Sequence, residues 1–109
     1  MDPLGFTTHI LSIVNTGLSI VSKLRSTLRA SNVGAEVHLY TLLLREISDV
    51  VLQNAEVLPS AIACLQQCQE RLDDLQRVVS ASKPQFGSIQ LAVSDFRSSV
   101  MLLRDIVME

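Results

Sequence analysis

Apolar residues recur at spacings of three and four in four separate stretches of this chain, and each stretch predicts an amphipathic helix. In the first, the stripe runs Phe6, Ile10, Ile13, Val14, Gly17, Val21, Leu24 and Leu28, with Leu11, Leu18 and Ile20 widening it. The opposite side reads Ser12, Asn15, Ser19, Ser22, Ser26 and Arg29. Pro3 suits a first helical position and Asp2 an N-cap, so this helix is expected over about 3–30, with Gly5 and Gly17 as its weak points. Ser31-Asn32-Val33-Gly34 then breaks the pattern.

The second helix is expected over 35–57. Its seam is Val37, Tyr40, Leu44, Ile47, Val51, Asn54 and Leu58, broadened by Leu43, Val50 and Val57. Asn54 reads either as a register-setting polar residue or as the start of fraying. Pro59 opens a third helix over 59–81, with Ala61, Leu65, Cys68, Leu72, Leu75 and Val79 in line and Ile62 and Cys64 beside them. On its polar faces Asp73 and Arg77 are four apart and should attract, whereas Glu70 and Asp74 repel weakly. Residues 80–84 read as a linker. The fourth helix, 85–107, carries the cleanest seam: Phe86, Ile89, Val93, Phe96, Val100, Leu103 and Val107, next to Leu102 and Ile106.

Four apolar-striped helices joined by four or five residues should close into an all-α antiparallel four-helix bundle. The core is then expected around Leu44, Ile47, Val51, Leu65, Cys68, Leu72, Leu75, Val93, Phe96, Val100 and Leu103. A length of 109 residues fits one domain. The fourth pattern runs into RDIVME with no C-cap glycine and stops mid-pattern, which reads as a truncated product, the folded cap of a larger protein with no activity of its own.

Composition changes this picture in one respect. Only 18% of residues are charged, below the ~25% usual for soluble domains, so a partner, further chain or lipid is expected over part of the surface. Asp2 against Lys23, Arg25 and Arg29 makes the first thirty residues mildly basic, far too weak a patch to suggest nucleic acid in a chain of net charge −2. No charge interrupts the sequence between Asp2 and Lys23, a length that matches a bilayer's hydrocarbon core. Lys23, Arg25 and Arg29 follow it and suit an anionic headgroup region. A membrane element and the buried helix of a soluble bundle both fit this stretch.

Candidate chemistry is thin. His9 and His38 lack acidic or cysteine partners at ligand spacing, and Cys64 and Cys68 supply two of the four ligands a structural zinc needs. They read as packed thiols. No phosphate-binding glycine loop or nucleophile elbow occurs, so no catalytic, cofactor or metal residue is expected, and the chain does not read as an enzyme.

The opening MDPLGFTTHILSIVNTGLSIVSKL, together with LPSAIACLQQCQERLDDLQRVV at 58–79, resembles fungal N-terminal domains that precede the nucleotide-binding module of NLR-like (STAND) proteins. Gly5 stands where that family commonly has a small polar residue, and the fourth helix departs from its basic, Trp- or Leu-rich segment. The resemblance implies a HeLo-like helical bundle in the cytoplasm, recruited to the plasma membrane when a downstream nucleotide-binding module assembles copies of it. It implies a role in programmed cell death of the heterokaryon-incompatibility type, within fungal innate immunity. Carried onto this chain, the membrane-acting or interacting residues are Phe6, Ile10, Ile13, Val14, Leu18, Val21, Lys23, Arg25 and Arg29, with anionic lipids as partners. The alternative is a soluble interaction or self-association module with no membrane step.

Overall fold

The computed structural model describes residues 3–25, 31–54, 59–81, 83 and 85–108. They form four helices: α1 (Pro3–Arg25), α2 (Ser31–Asn54), α3 (Pro59–Val79) and α4 (Phe86–Met108). The arrangement is an all-α four-helix bundle about 43 Å long and 20 × 18 Å across. Among the described residues there is no strand.

α1 packs along α2 and α3 along α4, and the two hairpins meet where α2 lies against α4 and α1 against α3. Named contacts give the directions. The end of α1 meets the start of α2, where Arg25 Nη2 lies 3.0 Å from His38 Nδ1. Lys23 Nζ donates to Ser80 Oγ at 3.4 Å, so the ends of α1 and α3 lie together. The Cys64 thiol, early in α3, donates to the carbonyl of Ser99, late in α4, at 3.3 Å. Consecutive helices are therefore antiparallel, and the side-by-side pairs α1/α3 and α2/α4 run the same way.

Each helix contributes one stripe to a single core. Phe6, Ile10, Ile13, Ile20, Leu44, Ile47, Leu65, Cys68, Leu72, Leu75, Phe96, Val100 and Leu103 are fully buried, and Val51 and Val93 nearly so. Tyr40 meets Phe96 edge-on, with ring centroids 6.3 Å apart and planes at 70°, and ties α2 to α4. Three of the hydroxyls that enter the core bond within their own helix: Thr7 to the Leu4 carbonyl at 3.0 Å, Thr41 to His38 at 2.7 Å and Ser99 to Asp95 at 3.3 Å. Such back-bonds let a polar residue enter an apolar seam without an unmet donor.

Four boundaries, on three helices, differ from the sequence reading. α2 begins at Ser31, not Ala35, so Ser31–Gly34 is helix and not a break. Val33 and Gly34 are buried there, and a Cβ at Gly34 would lie 3.3 Å from Leu24 Cβ. Packing against the end of α1 outweighs the poor intrinsic helix propensity of the segment, which costs about 1 kcal/mol at a glycine. α3 ends at Val79: Ser80 N–H still reaches the Gln76 carbonyl at 2.9 Å, and Ala81 N–H turns to Val78 at 3.4 Å. α4 runs one residue later at each end, from Phe86 to Met108. The expected helical extension over 26–30, the side chain of Asn54, the seam positions Val57 and Leu58, and the Asp2 cap lie outside the described residues.

Gly17 marks a close approach of α1 to α2. A Cβ there would drive into Thr41 Cγ2, well inside van der Waals contact. The Gly17→Ala variant is expected to lose about 1–3 kcal/mol by overpacking, despite the better helix propensity of alanine. Urea unfolding checks this, and adding Thr41→Ser, which removes the offending methyl, should recover much of the loss.

Candidate functional site

Among the described residues no cluster of three or more His, Cys, Asp or Glu could hold a metal ion. Cys64 and Cys68 are both buried and unbridged. Burial is the first cause that raises both thiols. At Cys68 the neighbouring Cys64 adds to it, and the pKa reaches about 12 from an ordinary 9.0. Thiolate, the reactive form, is thereby disfavoured.

The pH consequence has a definite sign. The folded state holds the Cys68 proton to higher pH than the unfolded chain does. Its contribution to stability is complete below about pH 9 and is lost as pH rises through about 12. Tyr40, raised by burial and by Glu36, acts in the same direction. Denaturation midpoints are expected to fall through this alkaline range, and Cys68→Ala should flatten the fall while leaving the part due to Tyr40.

Charged side chains lie on the outer faces. Arg77 Nη2 bonds Asp74 Oδ1 at 2.7 Å, an exposed pair three residues apart. The expected partner, Asp73, instead accepts from Gln69 Nε2 at 3.0 Å. An exposed pair of this kind contributes under about 1 kcal/mol. An open groove of about 510 Å³ runs between α3 and α4, with Gln66, Gln67 and Glu70 on one wall and Leu102 and Ile106 on the other.

The feature that sets α1 apart is its two faces. Of the residues assigned to membrane action or interaction, Phe6, Ile10, Ile13, Val14 and Val21 lie in the core, 0–3% exposed. Leu18 is instead exposed, at 41%, as is Leu11, which the sequence reading placed in the same stripe. Lys23 and Arg25 are exposed and engage Ser80 and His38 on neighbouring elements. Arg29 lies outside the described residues. The structure thus separates the candidate set into a buried apolar stripe and an outer leucine face.

Sequence reasoning missed that outer face. Leu4, Leu11 and Leu18 are all exposed and are spaced by seven. Thr8, Asn15 and Ser22, each four residues after one of them, are exposed too. The signal was present as a second spacing, offset from the main stripe. α1 is also the one helix among the described residues long and apolar enough to cross a membrane, with mean hydropathy 1.4 over an 18-residue window within Leu4–Arg25. A core helix of a soluble bundle passes the same test.

The geometry defines a class, a helical bundle with one apolar N-terminal helix that carries no charged residue from Leu4 to Ser22. Beyond that class, no family model, curated protein or solved structure matches the chain.

Proposed function

We propose that the chain is a helical protein–protein association module, whose bundle holds the apolar stripe of its first helix inside at rest. One observation carries this reading: Phe6, Ile10, Ile13, Ile20 and Leu24 are packed into the core while the opposite face of the same helix is exposed and carries no charge from Leu4 to Ser22. The partners of such a module are a second copy or a nucleotide-binding region of the same protein, as the likeness to fungal NLR-like N-terminal domains suggests.

The energetics favour association over spontaneous membrane entry. Freeing α1 would expose seven buried apolar side chains, Phe6, Ile10, Ile13, Val14, Ile20, Val21 and Leu24. At roughly 1.5–3 kcal/mol each, that is on the order of 10–20 kcal/mol, as large as the whole stability of a typical domain, about 5–15 kcal/mol. The helix therefore stays folded unless something outside the bundle offsets that cost.

The second reading, a latent effector that acts on membranes after clustering, draws on the length and hydropathy of α1. In that reading lipid supplies the offset, and high local concentration makes release worthwhile. Flotation and dye-release assays with anionic vesicles separate the two, using the protein alone and fused to an inducible dimeriser. The association reading expects neither binding nor leakage in either state. Leakage that appears on forced clustering would replace it with the effector reading.

A further inference from the structure

We infer that the outer face of α1 is a self-association seam, which joins two copies of this chain back to back through their first helices. The inference rests on the association reading above and names its surface and partner.

The seam is a heptad line. Leu4, Thr8, Leu11, Asn15, Leu18 and Ser22 alternate in steps of four and three, and all six are exposed. That spacing averages 3.5 residues, the period that keeps one face turned toward another helix. Leucine occupies one of the two seam positions throughout and a small polar residue the other. The positions just after the leucines, Gly5, Ser12 and Ser19, are small as well, so a second backbone can come close.

Charge selects a copy of the same chain as occupant. From Leu4 to Ser22 the helix carries no Asp, Glu, Lys or Arg, so two identical faces meet without like-charge repulsion. The other exposed leucines do not share this property. Leu39, Leu42 and Leu52 on α2 lie among Glu36, Arg45, Glu46 and Asp49, and Leu91 and Leu102 on α4 among Asp95, Arg97, Arg104 and Asp105. In a chain of net charge −2, α1 presents the described outer face on which self-contact has no electrostatic cost. Lys23 and Arg25, at its end, reach toward Ser80 and His38 of their own bundle.

The polar members speak against lipid as occupant. A lipid-facing stripe has no use for an amide or hydroxyl at every second seam position, because a polar group in hydrocarbon needs a partner. Between two helices Asn15 finds one, since a single asparagine in an apolar seam fixes register at some cost in affinity. Thr8 already donates to the Leu4 carbonyl at 2.8 Å.

Area sets the strength. The seam spans about 27 Å of helix at ~1.5 Å per residue, and a strip ~10 Å wide buries on the order of 300 Å² per copy. For both copies together that is ~600 Å², about half the total of ~1,200 Å² at the lower end of stable complexes. The dimer is therefore weak and forms when copies are concentrated, for instance by tethering.

Sedimentation velocity of the whole chain, over a wide concentration series, tests the inference. The wild type should pass from monomer to dimer as concentration rises. Leu11→Asp and Leu18→Asp should weaken the dimer at least tenfold while melting like the wild type. Asn15→Leu should tighten association about tenfold, which a merely structural role for Asn15 would not do. Leu52→Asp on α2 should leave association unchanged. If Leu52→Asp abolishes the dimer and Leu11→Asp does not, the association reading survives and this seam is wrong. A wild type that stays monomeric at every concentration overturns the inference, and one that also leaks clustered anionic vesicles overturns the association reading with it.

Discussion

Replacing Ile13 by aspartate is expected to unfold the bundle. Ile13 is fully buried, so the substitution loses about 1.5–3 kcal/mol of apolar burial and places a carboxyl group in its stead. The nearest Lys or Arg on α1 is Lys23, ten residues and about 15 Å further along the helix. An uncompensated buried carboxylate costs several kcal/mol more, whether it stays ionised or takes up a proton. The sum exceeds about 4–5 kcal/mol, close to the whole stability of many small domains. Circular dichroism should show loss of helix at 25 °C, or a urea midpoint near zero. Leu11→Asp, two residues earlier on the exposed face, should melt within about 0.5 kcal/mol of the wild type.

The contrast between these neighbours matters for function. A loss of biological effect in Ile13→Asp or Val14→Asp reports unfolding, because both positions belong to the core. Only the outer positions Leu4, Leu11 and Leu18 probe a surface role of α1 without destroying the scaffold that presents it. A retained Leu11→Asp fold with unaltered function would move attention to α2 or α4.

Much of the bundle was legible because a 3.6-residue period on a chain this apolar leaves little choice. Leu65, Cys68, Leu72 and Leu75, or Val93, Phe96, Val100 and Leu103, can share one face only if the segment is helical, and all eight lie in the core. What the period does not convey is how much of a helix its neighbours cover. Leu11 and Leu18 sit at the margin of the α1 stripe, close to a third of a turn, about 100–120°, from its centre at 100° per residue. They were read as core extensions, yet α2 and α3 do not reach round that far. Ser31–Gly34 failed for the complementary reason. Serine, asparagine and glycine lower helix propensity locally, but Gly34 is what lets the end of α1 pack closely there, and such a tertiary contact leaves no mark in the local pattern. The Asp74–Arg77 pair shows a third limit: spacing allowed a bond from Arg77 to either Asp73 or Asp74, and rotamers chose the latter.

Truncating Phe96 to alanine should be the most damaging single deletion in the apolar core. Aromatics are only 4% of the chain, and Phe96 and Phe6 are the largest fully buried side chains. Phe96 stands where the two hairpins meet, edge-on to Tyr40 across the α2–α4 contact. Removal costs its transfer free energy plus that of a cavity the rigid helices cannot close, about 3–5 kcal/mol together. For a domain of this size that lowers the melting temperature by more than 10 °C, at ~4–8 °C per kcal/mol. Phe96→Leu, which keeps most of the volume, should lose markedly less. The near-ultraviolet signal of Tyr40 offers a second readout. If Phe96 couples the hairpins, the tyrosine band should weaken in Phe96→Ala at temperatures where the far-ultraviolet helix signal persists, because each hairpin still holds its own contacts while the α2–α4 contact has loosened. Coincident loss of both signals would mean instead that the bundle unfolds as one unit and that Phe96 stabilises it without serving as a separable joint.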